Sequence, residues 1–135
     1  MDRSAELRVA LTVPDFEVAV AFYRDALGLE QLADWSGEGG RVILLGAGRA
    51  TLELLDEEQS AAVDAIEGGS RPSGAVRLAV QVSDTEGTAA RLVAAGGTHA
   101  APAVTPPWGG RNLRLQAPDG LQLTLFDPHA ERIPM

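Results

Sequence analysis

The two tryptophans of this 135-residue sequence each stand shortly before a Gly-Gly-Arg triplet, Trp35 before Gly39-Gly40-Arg41 and Trp108 before Gly109-Gly110-Arg111. In a glycine-rich loop a tryptophan can stack on a flat aromatic molecule, each contact contributing about 0.5–1.5 kcal/mol beyond the area it buries. Its alternative use is as a plug against its own sheet edge. All eleven basic residues are arginine, cysteine and lysine are absent, and His99 and His129 are the only histidines. Those absences exclude thiolate nucleophiles, thiolate zinc sites and disulfides, Schiff-base lysines and a phosphate-loop lysine. Both histidines lie outside the patterned segments and are expected at the surface. Polar recognition is left to carboxylates and to arginine, whose guanidinium fork suits carboxylate and phenolate oxygens. The net charge of −8 disfavours nucleic acid as a partner, because an acidic surface repels phosphates.

Alternating, branched residues make Leu7–Val13 a strand, ended by Pro14, and Asp15 can cap the helix that follows. In that helix Ala19, Phe22, Tyr23, Ala26 and Leu27 recur at helical spacing and are expected to form its core face, with Phe16 beside them. Gly28 is placed to end it. Extended segments follow near Gln31–Trp35 and at Val42–Leu45 and Ala50–Leu55. Asp56 to Glu67 reads as a helix with Ala62, Val63 and Ile66 on one side, and Gly68–Gly74 as a flexible linker. Phe126 closes a strand and is expected in the core. The tail from Asp127 has no period and is expected to be loosely ordered.

The second half repeats the first. Leu7-Arg8-Val9-Ala10-Leu11-Thr12-Val13-Pro14-Asp15 aligns with Val76-Arg77-Leu78-Ala79-Val80-Gln81-Val82-Ser83-Asp84, with Arg, Ala, Val and Asp identical at matched places. A helix from Thr85 to Ala95, stopped by Gly96-Gly97, follows, and Leu52-Glu53-Leu54-Leu55-Asp56 matches Leu123-Thr124-Leu125-Phe126-Asp127. This order of matches indicates an internal duplication. The chain reads as one α+β domain, 1–135, of two βαβββ modules, 7–56 and 76–127, joined by a helix and linker at 57–75. Two such modules can turn their helices outward and curl their mixed sheets around a shared groove.

The run R-V-A-L-T-V-P-D-F-E-V-A-V-A-F-Y-R-D-A-L-G-L, with A-P-D-G-L-Q-L-T-L-F-D in the second half, resembles the vicinal oxygen chelate superfamily. That group contains glyoxalase I, extradiol dioxygenases, fosfomycin-modifying enzymes and bleomycin-resistance proteins. The resemblance spans about Leu7 to Asp127. It implies paired βαβββ modules, usually in a two-fold dimer, with deep grooves. It also implies that the enzymes' four metal ligands, usually His or Gln, Glu, His and Glu, correspond here to Arg8, Glu53, Arg77 and Thr124. Guanidinium has no lone pair to donate, so only Glu53 keeps a ligand type, and no metal or other cofactor is expected.

The expected function is therefore non-catalytic binding and sequestration of an aromatic, drug-like small molecule, of the antibiotic-resistance type. Trp35 and Trp108 would stack on the ligand, while Arg8, Glu53, Arg77 and Thr124 would orient it. An internal Arg–Glu–Arg ion-pair set is the structural use of the same residues. The alternative is a glyoxalase- or dioxygenase-like lyase or isomerase, with Glu53 as general base in a metal-free version. A cytoplasmic homodimer is expected, since the sequence carries no secretory signal pattern and no apolar run of about 20 residues for a membrane span.

Overall fold

The computed structural model describes residues 4–69, 71 and 74–129. Most of the tail and part of the linker after Gly69 lie outside these residues. The elements run β1 (Glu6–Thr12), α1 (Phe16–Val20), β2 (Glu30–Asp34), β3 (Val42–Ala47), β4 (Ala50–Leu55), α2 (Glu57–Glu67), β5 (Val76–Gln81), α3 (Thr85–Ala94), β6 (Thr98–His99), β7 (Arg111–Gln116) and β8 (Gln122–Asp127). The strands form one open mixed sheet in the order β2-β3-β4-β1-β5-β8-β7-β6. β1 runs parallel to β4, β5 runs parallel to β8, and β1 pairs antiparallel with β5 at the centre. The two halves thus join edge to edge within a single chain. No helix among the described residues is long and apolar enough to cross a membrane.

Alternation along the strands gives the sheet two unlike faces. On one face Ile43, Leu45 and Leu54 pack against Phe16, Ala19 and Val20 of α1. The equivalent cluster in the second half is Val82, Leu113, Leu115 and Leu125 with Ala89 of α3. Leu45 and Leu54 are fully buried, each worth about 1.5–3 kcal/mol of transfer free energy. Asp15, Asp56 and Asp84 each accept a backbone N–H in the first turn of the helix they cap.

The first helix departs from the expected face. Past Val20 it widens into a π-helical turn over Ala21–Ala26, where the Leu27 N–H reaches back to the Phe22 carbonyl. That i→i+5 bond adds one residue to the turn and swings later side chains by about 100°. Leu27, beyond this turn, points outward and is exposed. Phe22 is exposed because the buried stripe is Phe16, Ala19, Val20 and Tyr23, an ordinary helical spacing that leaves Phe22 off it.

Candidate functional site

The other sheet face is polar, and its register explains how the predicted residues meet. Glu53 on β4 is level with Ala10 on β1, and Ala10 with Arg77 on β5. Likewise Arg8 is level with Ala79, and Ala79 with Thr124 on β8. Strands lie about 4.8 Å apart, so side chains two strands away meet only over a small residue. The two alanines supply that gap. Across Ala10, Arg77 Nη2 donates to Glu53 Oε1 at 3.4 Å, while Arg8 Nη1 stands 3.8 Å from Glu53 Oε2.

Arg8 has a second acidic neighbour. Its Nε and Nη2 donate to Glu6 at 2.8 and 3.2 Å, a forked pair that engages one edge of the guanidinium. Glu6 also accepts from the Thr51 hydroxyl. Its carboxyl is held below the ordinary carboxylate value, chiefly by the hydrogen bond from Arg8. The guanidinium carbon of Arg8 lies 4.7 Å from the ring centre of Phe126 and 5.4 Å from that of Trp35, a cation–π arrangement. Glu53 is pushed the other way. Burial raises its pKa, and the opposing fields of Arg77 and Arg8 do not cancel that rise. Among the described residues Arg77 Nε and the Thr124 hydroxyl are buried without a hydrogen-bond partner.

These side chains line a cavity of about 490 Å³ that gathers all six expected site residues: Arg8, Trp35, Glu53, Arg77, Trp108 and Thr124. Trp35 and Trp108 stand at its rim, 48% and 58% exposed. The second glycine of each Gly-Gly-Arg triplet holds its loop in place. A Cβ on Gly40 would lie 2.4 Å from the backbone nitrogen of Gln59, and one on Gly110 would lie 2.6 Å from the Asp127 carbonyl oxygen. Both glycines have positive φ, at 130° and 76°. Phe126, expected in the core, instead lines this cavity. It shares the polar face with Thr124, two residues before it, by strand alternation. His99 and His129 are exposed and are not among the residues that line the cavity.

Helix α2 forms the facing wall through Gln59, Val63 and Glu67. Its buried stripe is Ser60, Val63, Asp64 and Glu67, whereas Ala62 and Ile66 are only partly buried. The stripe is polar because the sheet face it meets is polar. Arg114 on β7, 1% exposed, donates to Glu67 at 2.9 Å and to Asp64 at 2.7 Å. Asn112 donates to Glu67, Arg71 to Asp64, and the Ser60 and Thr12 hydroxyls share a 2.7 Å hydrogen bond. Sequence reasoning missed Glu6, Asp64, Glu67, Asn112 and Arg114. Glu6 was legible as the same-face neighbour of Arg8, but nothing local marks the carboxylates of α2 as inward-facing.

The residues at the four positions do not fit a divalent metal. Two cationic guanidiniums face the one carboxylate, and threonine is a poor neutral donor. Among the described residues no group of three or more His, Asp or Glu is placed to hold a metal ion.

Comparison with solved structures finds the same fold at low identity. The hypothetical protein BH1468 from Bacillus halodurans C-125 is 16% identical, with 98% of this chain and 100% of that one covered at a TM-score of 0.70. A glyoxalase/bleomycin resistance protein/dioxygenase superfamily member from Vibrio splendidus 12B01 is 19% identical, covering 90% and 97% at 0.62. Methylmalonyl-CoA epimerase from Mycobacterium tuberculosis is 21% identical, covering 94% and 88% at 0.59. Comparison with curated proteins finds no match. The family model described as Glyoxalase/Bleomycin resistance protein/Dioxygenase superfamily matches residues 7–125, nearly the whole patterned chain. The chain belongs to that superfamily.

Proposed function

We propose that this protein binds and sequesters an aromatic, drug-like small molecule in the cavity between the sheet and α2, without catalysis and without a metal. One observation carries the reading: Trp35, Trp108 and Phe126 line the same cavity as the Arg8–Glu53–Arg77 floor. Aromatic walls around a few fixed polar groups are the usual make-up of a small-molecule site. Because Arg8 already occupies a face of Trp35, Trp108 is the ring with more surface to offer. The working form is a homodimer with two equivalent sites, the symmetry most common among small soluble proteins.

Titration with planar aromatic antibiotics should quench tryptophan fluorescence to saturation. Trp108→Ala should weaken the binding about 2- to 10-fold, as expected for loss of one stacking contact. Unchanged affinity in the variant would overturn stacking as the source of binding.

A second reading, an isomerase, draws on the raised pKa of Glu53, which suits a carboxylate to accept a proton from carbon. A fold shared with an epimerase makes methylmalonyl-CoA the first substrate to try. Binding without catalysis requires that its α-hydrogen not exchange with D2O in the presence of the protein. Exchange that Glu53→Gln abolishes would establish the enzyme instead.

A further inference from the structure

We propose that Glu53 Oε2 is the acceptor for a hydrogen-bond donor on the bound molecule, so that the cavity selects uncharged planar aromatics bearing an O–H or N–H group over aromatic carboxylates. The proposal rests on the reading of the cavity as an aromatic-ligand site and names the chemistry that reading leaves open.

An ionised carboxylate offers about four acceptor positions. Among the described residues Glu53 fills one of them, with a long 3.4 Å bond from Arg77 to Oε1. The cation nearest Oε2 is Arg8 Nη1 at 3.8 Å, beyond hydrogen-bond reach. Glu53 nevertheless lines the cavity, with its side chain only 12% exposed. An acceptor so poorly supplied in so dry a place gains more from a donor than a solvated one does.

The charges around the cavity leave little call for an anion. The Nε and Nη2 fork of Arg8 is closed by Glu6, Arg77 faces Glu53, and Glu67 is held by Arg114. Arg77 Nε is sealed from solvent. A ligand carboxylate would add an unbalanced charge to a buried and balanced set, which costs far more than burying a neutral group. A neutral O–H or N–H meets Glu53 and leaves the balance intact. The ring of Trp108 supplies a face for the flat part of such a molecule.

Three naphthalene probes of equal ring size separate the possibilities: 2-naphthol, 2-methoxynaphthalene and 2-naphthoate, titrated calorimetrically into the full-length protein near neutral pH. The expected order is naphthol tightest, by about 10-fold over the methoxy compound, as for a hydrogen bond to a charged acceptor, with naphthoate weakest. Glu53→Gln should bring naphthol and methoxynaphthalene to within about 3-fold, since a neutral amide accepts less strongly. The wild-type ranking decides the matter even if that variant does not fold. Equal affinities, or naphthoate binding best, would overturn the donor assignment while leaving the cavity as an aromatic site. A naphthol preference that survives in folded Glu53→Gln would move the acceptor to another residue and also overturn it. If none of the three binds, the aromatic-site reading itself falls and takes this inference with it.

Discussion

Glu53 and Glu6 sit within one group of side chains, yet their protonation is biased in opposite senses. Glu6 gains a forked arginine and its pKa falls; Glu53 loses water with only loose ion pairing, and its pKa rises above the ordinary 4.5. The sign of each effect on stability follows from linkage. For Glu6 the unfolded state holds the proton more tightly, so its contribution is present above the ordinary carboxylate range and is lost as pH falls through the lowered value. For Glu53 the folded state holds the proton more tightly. Its contribution therefore declines as pH rises from the ordinary range through the raised value. Urea unfolding of the wild type and Glu53→Gln, followed from about pH 4 to about pH 7, should show the wild type losing stability relative to the variant over that interval. Parallel curves would mean that Glu53 titrates as it does in the unfolded chain.

The decisive element is α2. A helix laid on an apolar surface would turn Ala62 and Ile66 inward beside Val63, but this helix meets arginines and asparagine and buries Ser60, Asp64 and Glu67 with Val63 instead. Among the described residues Arg114 is the cation that holds two of these groups at once. Arg114→Met keeps a side chain of similar length but leaves Glu67 and Asp64 with fewer partners in a dry place. It should destabilise the protein by about 3–5 kcal/mol, the usual cost of breaking a buried ion pair from one side. Chemical denaturation measures this directly. A loss below about 1 kcal/mol, the range of surface pairs, would show that α2 is seated by its other contacts. The first helix makes a related point. Its π-helical turn moves Leu27 out of the core stripe that its spacing implies, and Phe22 lies off the stripe of Phe16, Ala19, Val20 and Tyr23 that meets the sheet.

At the scale of the whole molecule the central β1–β5 pairing decides whether there is a cavity at all. Arg8 and Glu53 come from one half, Arg77 and Thr124 from the other, and only antiparallel pairing about Val9 and Leu78 brings Ala10 level with Arg77. The first half alone, residues 1–69, would expose the unpaired edge of β1 together with its polar face. Exposed strand edges recruit other strands. Light scattering and circular dichroism on this fragment should find it either unfolded or self-associated, and a folded monomer would contradict this account.

The sequence by itself determined the repeated pattern, most of the strands and their alternation, the Asp15 cap of the first helix and the correspondence of Arg8 with Arg77 and of Glu53 with Thr124. These are local or repeated patterns, and period and capping chemistry fix them without reference to distant residues. Membership of the family rested on the same runs. That six expected residues line one cavity was legible because equivalent places in a repeat fall at equivalent places in the fold. Only the tertiary structure decided that Glu6 closes the fork of Arg8, that Phe126 lines the cavity, that Phe22 is exposed, and that α2 buries carboxylates rather than its alanine and isoleucine. Each of these depends on what lies across a strand pair or a helix–sheet contact. A charged or apolar side chain takes its place from that opposing surface, and a single sequence carries no local mark of it.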